Sequence, residues 1–243
     1  MYNKQVTYKK CKIKYKNEAI NDNNIVFNMK RKSMQYIFIN PVVAQMYVKE
    51  ELDKTLLENG YERVEIQTNW HKIVKEKYAK VIEETEVTIL DRRCPKAIES
   101  IKNYFNNKEM LEPSIEPILI HCAIELANKE DLKDKKKIIT TPCESLASYG
   151  NGLKLDNTEF ISWKVFEKQL KGNHQLQVKQ LDASPIPPGY FSALDAKITS
   201  LSGAENIEEH FKHGLYKEDQ LVEMLYCHNG CNNGDGVLMN EEK

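Results

Sequence analysis

The chain alternates between short apolar runs and amphipathic stretches over most of its length. The apolar run YIFIN at 36–40 is followed by Pro41 and by an amphipathic stretch that stops at Gly60. A short apolar run is typical of a buried strand, and apolar positions three and four residues apart are typical of a helix that Pro begins and Gly ends. The pattern predicts a strand here, followed by a helix over 42–59.

The same alternation continues toward the C-terminus. It predicts further strands at 64–66, 87–90, 137–141, 159–162, 176–181, 197–200 and 221–226, and helices at 70–84, after residue 95, and at 118–128, 163–171 and 205–213. Strands that alternate with helices indicate an α/β fold with mainly parallel sheets. We expect two βαβ-type lobes that enclose a site, the first over 35–150 and the second over 151–243.

The first 34 residues have a different pattern. Residues 1–32 carry nine Lys or Arg against Glu18 and Asp22, and Val6, Tyr8 and Cys11 begin an alternation typical of a short strand. We predict a basic β appendage over 1–34. A solvated, Lys-rich edge strand is one interpretation, because lysines protect sheet edges from aggregation. A docking surface for an acidic redox protein such as a ferredoxin is the other.

Composition narrows the classes of partner and compartment. The formal net charge is −1, so the chain has no global basic field, and nucleic acid is not expected as a partner. No stretch approaches the roughly 18 apolar residues of a membrane helix, and the N-terminus lacks the apolar run of a secretion signal. We therefore predict a cytoplasmic protein without a membrane partner, in which the six cysteines are reduced.

Four cysteines follow predicted strands. Cys94 comes after 87–90, Cys143 after 137–141, and Cys227 and Cys231 after 221–226. Loops at the carboxyl ends of parallel strands are where ligands usually bind. Thiolates favour iron–sulfur clusters, zinc and copper(I), and four of them complete the protein ligation of a cubane. The glycines at 230, 234 and 236 let the backbone bend around a bulky group.

The spacing of the four cysteines leaves two kinds of metal open. Zinc sites built from four cysteines usually consist of two short paired knuckles, whereas Cys227 and Cys231 are the one close pair here. This favours an iron–sulfur cluster and keeps a zinc-stabilised structural module as an alternative. Cys122, inside the apolar helix ILIHCAIELA, and Cys11 are interpreted as packing residues.

Three segments resemble, in order, the motifs of the catalytic domain of iron-only (FeFe) hydrogenases. DRRCPKAIESI at 91–101 resembles the first motif, Thr-Ser-Cys-Cys-Pro, and ITTPCESLAS at 139–148 resembles the second, Met-Pro-Cys-x-x-Lys. VEMLYCHNGCNNGDG at 222–236 resembles the third, Glu-x-Met-x-Cys-x-x-Gly-Cys-x-x-Gly-Gly, with Leu225 and Asp235 as departures. The resemblance in the order of elements covers about residues 35–238.

The resemblance implies a ligand set. In that family the matching cysteines hold a 4Fe-4S cluster, so Cys94, Cys143, Cys227 and Cys231 are the expected ligands. The last of them, Cys231, is the candidate bridge to a two-iron subsite carrying carbonyl and cyanide. The chain has no CxxCxxC run, so its electrons are expected from a separate redox protein. The resemblance also implies an iron–sulfur protein of an anaerobe.

Departures from the family pattern argue against ordinary hydrogen turnover. Arg93 stands where active members have a proton-relaying cysteine, Leu146 where they have a lysine, and Thr141 where they have a methionine. A guanidinium, with a pKa above about 12, does not exchange protons at neutral pH. Arg93 is expected either to form a surface salt bridge or to stabilise the charge of the cluster.

The residues thus favour a cluster-bearing protein of electron transfer, redox sensing or cluster assembly. A minimal hydrogenase that reversibly oxidises H2 is the alternative. In that case Glu144, Glu223 or Asp91 would replace the missing proton relay.

Overall fold

The computed structural model describes residues 34–171 and 178–237. Within them the strands are β1 (Gln35–Phe38), β2 (Tyr61–Arg63), β3 (Thr88–Leu90), β4 (Met110–Leu111), β5 (Lys137–Thr141), β6 (Thr158–Ser162), β7 (Ile198–Ser202) and β8 (Leu221–Leu225). The α-helices are α1 (Pro41–Met46), α2 (Lys49–Glu58), α3 (Trp70–Glu84), α4 (Pro95–Ser100), α5 (Ile118–Asn128), α6 (Glu144–Gly152), α7 (Trp163–Glu167) and α8 (Ala204–Lys212). Short 3-10 helices lie at Lys102–Tyr104, Leu215–Glu218 and Cys231–Asn233.

The strands form two four-stranded sheets in which every pairing is parallel. The first sheet has the order β2-β1-β5-β6, with Ile37 opposite Arg63 on one side and Ile138 on the other. The second has the order β4-β3-β8-β7, with Leu90 opposite Val222. Parallel pairing requires crossover connections, and the helices supply them. The predicted α/β class with two parallel βαβ lobes is confirmed.

Neither sheet is built from one side of the predicted boundary at residue 150. In the first sheet β5 pairs with β6 across it, and in the second sheet β3 pairs with β8 across it. The described residues, 34–171 and 178–237, belong to one compact unit. The two lobes are therefore the two sheets with their helices, rather than the consecutive segments 35–150 and 151–243.

Both faces of the first sheet are buried. Ile37 and Ile138 pack with Trp163 on one face, while Ile139 and Phe160 pack against α5 and α6 on the other. A sheet covered on both sides reads as continuous apolar runs, which is why β1 and β5 were visible in the sequence. The second sheet is likewise covered on two sides.

The predicted helix over 42–59 is two helices, α1 and α2. The chain is extended at Tyr47, with φ −122° and ψ 154°. The Tyr47 side chain is buried, and its hydroxyl donates to Glu167 at 2.9 Å and accepts from Trp163 Nε1 at 3.0 Å. These contacts across more than 100 residues of sequence override the local helical pattern.

Other boundaries differ by a few residues. The strand expected at 64–66 is β2, at Tyr61–Arg63, and the helix expected over 163–171 is α7, which ends at Glu167. Helix α6 was not predicted. Residues 178–181 of the strand expected at 176–181 are not a strand, and β4 was not predicted. The basic appendage expected over 1–34 lies, except for Met34, outside the described residues. No helix of the described segments has the length and apolar character needed to cross a membrane.

The packing of α6 on β6 gives a test of the fold. A Cβ added at Gly150 would lie 2.5 Å from the Phe160 ring, whereas one added at Gly152 would meet nothing within 4 Å. We expect Gly150→Ala to lower the free energy of unfolding by about 1–3 kcal/mol through overpacking. Gly152→Ala, in the same helix, is expected to change it by less than about 1 kcal/mol. Chemical denaturation of the two variants measures this, and equal effects would contradict the packing.

Candidate metal centre

The four nominated cysteines lie at the carboxyl ends of strands in both sheets. Cys94 precedes α4 in the loop after β3, and Cys143 is the N-cap of α6 directly after β5. Cys227 and Cys231 lie in the loop after β8, which is the neighbour of β3 in the second sheet. The strand-end positions expected from the sequence therefore bring together loops that are up to 137 residues apart.

These loops surround one cavity. It has a volume of about 350 Å³, and all four cysteines line it. The thiols are close enough to interact electrostatically: a negative charge on Cys94, Cys143 or Cys227 raises the pKa of Cys231. Cys94 and Cys227 do the same to Cys143. The remaining free cysteine of the described residues, Cys122, is buried in α5 and does not line this cavity, and Cys11 lies outside the described residues.

Burial raises the pKa of each of the four thiols. The pKa of Cys143 is raised to about 12 and that of Cys227 to about 11, and those of Cys94 and Cys231 are also raised. Backbone groups oppose this in part, because they stabilise the thiolate. Leu146 N–H donates to Cys143 Sγ at 3.4 Å, and the N–H groups of Tyr226 and Ala97 lower the pKa of Cys94. Four neighbouring thiols therefore stay protonated until a cation compensates their charge.

The loop that carries Cys227 and Cys231 is fixed to the end of β5. Gly236 N–H donates to the Pro142 carbonyl at 3.1 Å, and Glu144 N–H donates to Asp235 Oδ1 at 3.0 Å. Gly236 also accepts from Lys164 N–H at 2.7 Å. A side chain at Gly234 would overlap the Pro142 carbonyl oxygen. The glycines of the third motif are thus required because two backbones touch, one from each cysteine-bearing loop.

Arg93 is buried, with its side chain 6% exposed. Its Nη2 lies 2.8 Å from Asp91 Oδ2 and 2.6 Å from Glu223 Oε1, and both carboxylates are fully buried. The guanidinium also stacks over the Tyr190 ring at 4.0 Å. The expectation of a surface salt bridge is therefore wrong, because the partner Glu223 comes from the centre of the second sheet. Burial and the neighbouring thiols raise the pKa of Cys231, and the positive charge of Arg93 opposes that rise in small part.

The three carboxylates named as relay candidates have different environments. Glu223 accepts from the N–H groups of Gly189 and Tyr190 and from the Ser200 hydroxyl, in addition to Arg93. Asp91 accepts from Arg93 and from the Tyr78 hydroxyl. Glu144 is exposed, accepts from the Ser162 hydroxyl and lines a separate groove on the surface. Two of the three are therefore fixed acceptors in a buried network, and none lines the cysteine cavity.

A second cavity lies on the other side of Cys231. It has a volume of about 400 Å³, and its wall includes Cys231, Arg93, Leu146 and Cys122. Trp70, His71 and Tyr190 also line it, and these were not nominated from the sequence. Burial and the charges of Arg93 and Lys75 lower the pKa of His71, so its imidazole is neutral at neutral pH. A possible signal for Tyr190 was the Pro-rich segment SPIPPG directly before it.

Within residues 34–171 and 178–237, no three His, Cys, Asp or Glu side chains are gathered as ligands around a single metal ion. No family model matches the chain, and no curated protein matches it.

The contact between the two cysteine-bearing loops makes a prediction for metal uptake. Gly234→Ala would push the loop away from Pro142 and so separate Cys227 and Cys231 from Cys143. We expect it to lose most of the metal that the parent protein binds, as measured by elemental analysis after anaerobic purification. Gly152→Ala, which meets no neighbour, is the control. Full metal content in Gly234→Ala would show that the glycine contact is dispensable.

Proposed function

We propose that the chain binds one 4Fe-4S cluster through Cys94, Cys143, Cys227 and Cys231. The observation that supports this most is that four thiols from three separate loops line one cavity. Burial and neighbouring cysteines raise the pKa of Cys143, Cys227 and Cys231, which places the thiols near one another. As anions these thiols would repel one another, so they become thiolates together only around a cationic group. The ligand number and type match those of a cubane cluster.

The spacing of the cysteines along the chain favours a cluster over zinc, because Cys227 and Cys231 are the one close pair and four-cysteine zinc sites usually have two. A structural zinc ion also draws its four thiolates to about 2.3 Å from one point. In a cubane each thiolate binds a different iron, so the ligands surround the cluster at wider spacing. A cavity of about 350 Å³ between the thiols suits that arrangement. A zinc-stabilised structural module remains the alternative, and stoichiometric zinc on metal analysis would favour it.

A bound cubane supplies one-electron chemistry, and the chain's own residues set its environment. Leu146 N–H donates to Cys143 Sγ, and amides also face Cys94; hydrogen bonds to ligand sulfurs raise the potential of such clusters. Arg93, neutralised by two carboxylates, leaves one net negative charge beside Cys231. We propose a cytoplasmic role in electron transfer, redox sensing or cluster assembly, with a redox protein such as a ferredoxin as partner.

One observation favours the alternative, a minimal FeFe hydrogenase. The second cavity adjoins Cys231, the candidate bridge to a two-iron subsite. Its wall, however, has Arg93 held by two carboxylates and the apolar Leu146 where that family has a proton-relaying thiol and an amine donor. Infrared bands of metal-bound carbonyl and cyanide after maturation, with hydrogen evolved from a reduced dye, would establish the alternative. Their absence in a cluster-loaded protein would exclude it.

Substituting single cysteines tests the ligand set. We expect Cys143→Ser to abolish cluster loading, because a serine hydroxyl is a poor ligand for iron in a cubane. Cys122→Ser should retain it, because Cys122 lies in α5 and does not line the cavity of the four thiols. Iron and sulfide analysis after anaerobic reconstitution, with absorbance near about 400 nm, measures both. Equal loss from the two variants would contradict the assignment, and a colourless protein with stoichiometric zinc would replace the cluster by a zinc site.

A further inference from the structure

The cysteine cavity meets the solvent on one side. Among the residues of its wall, His228 and Glu205 have side chains that are 58% and 66% exposed. Lys96 and Asp235, with side chains 38% and 46% exposed, also belong to the wall. Other parts of the wall, such as Leu225, are buried. The four polar residues therefore mark the opening of the cavity.

Two polar pairs span this opening. His228 Nε2 lies 2.6 Å from Glu205 Oε1, which joins the loop after β8 to the first turn of α8. Lys96 Nζ lies 3.6 Å from Asp235 Oδ2 and 4.5 Å from the centre of the Tyr226 ring. Each pair connects the loop after β8 to the first turn of a helix, α8 or α4, so each limits how far the opening can widen.

The His228 pair is reinforced by a close approach to Gly203. Gly203 has φ +96°, and a Cβ there would lie 2.7 Å from His228 Nδ1 and would overlap the rest of the ring edge. The ring thus occupies the space that any other residue at 203 would fill. Two further bonds hold the same loop: Asn229 N–H donates to Ser202 Oγ at 3.3 Å, and Asn233 Nδ2 donates to the His228 carbonyl at 2.8 Å. We refer to Gly203, Glu205 and His228 as the clasp.

Cys227 is the candidate ligand that directly precedes His228 of the clasp, and it lines the cavity whose opening the clasp borders. It also interacts electrostatically with Lys96 and Asp235, the second pair at the opening. Cys94 accepts from the amides of Tyr226 and Ala97, and Cys231 lines both cavities. Cys227 is therefore the thiol that adjoins both polar pairs at the opening.

We propose that the cluster is inserted and released on the Cys227 side, and that the clasp of Gly203, Glu205 and His228 controls how fast this happens. This inference rests on the proposed cluster. In it His228 and Glu205 are positioning residues that keep the Cys227 loop against the turn before α8, and they do not bind iron. Cys227 is then the last ligand to bind the cluster and the first to leave it.

Iron release from the loaded protein tests the clasp. We expect His228→Ala and Glu205→Gln to release iron to a strong ferrous chelator roughly two- to fivefold faster than the parent, the range that corresponds to loss of one exposed polar pair. His213→Ala and Glu208→Gln are matched controls, because both residues are exposed at or beside α8 and line no part of the cavity. Parent-like release from both clasp variants, or equal acceleration in the controls, would overturn the proposal.

Alkylation of the cluster-free protein gives a second readout that needs no iron. Thiol reactivity follows exposure and thiolate fraction, so we expect Cys227 to react first among the four and His228→Ala to accelerate Cys227 alone. Mass spectrometry of peptides after timed treatment with iodoacetamide measures all four rates. If Cys94 or Cys143 reacts first, the assigned opening is wrong. A protein that takes up no iron, but in which Cys227 reacts first, would contradict the proposed function and leave the opening intact.

Discussion

The backbone contact between the third cysteine motif and the end of β5 is the constraint on which the site depends. Gly236 donates to Pro142 and accepts from Lys164, so the loop after β8 in the second sheet is tied to β5 and α7 of the first. The fit is close enough that a Cβ at Gly234 would overlap the Pro142 carbonyl oxygen. Without this contact, Cys227 and Cys231 would have no fixed relation to Cys143, and the cavity between them would not exist.

The buried charges behind the site follow from the same arrangement. Arg93 comes from the end of β3 and Glu223 from β8, its neighbour in the second sheet. Removing one partner would leave an uncompensated buried charge, which costs several kcal/mol. Glu223 also accepts from Gly189 and Tyr190, so the network fixes the Pro-rich segment that closes the second cavity. Arg93, the residue that departs most from the hydrogenase pattern, is therefore held by carboxylates from the second sheet and the loop after β3.

The sequence allowed the prediction of elements whose signals are local. Helices α3 and α5 and strand β5 begin and end where the periodicity indicated, and Asn69 caps α3 by accepting from Lys72 N–H at 3.1 Å. The grouping of Cys94 with Cys227 and Cys231 follows from the neighbouring parallel strands β3 and β8, whose carboxyl ends lie at one edge. Cys143 comes from the first sheet, and its approach depends on the contact between Gly236 and Pro142. The features that the sequence did not predict depend on contacts with residues far away in the chain. The break at Tyr47 requires Trp163, and the burial of Arg93 requires Glu223, 130 residues away. The pairing of β3 with β8 likewise has no local signature, which is why the lobes were placed in consecutive segments.

The fold class of the protein is confirmed, and its cofactor is proposed. We propose that the four thiols hold a cubane rather than a single ion. Mössbauer spectroscopy of the anaerobically reconstituted protein, prepared with isotopically enriched iron, tests this most directly. We expect about four irons per chain in the delocalised mixed-valence state of a 4Fe-4S cluster. This spectrum should be absent in Cys143→Ser. A spectrum of isolated mononuclear iron, unchanged by that substitution, would contradict it.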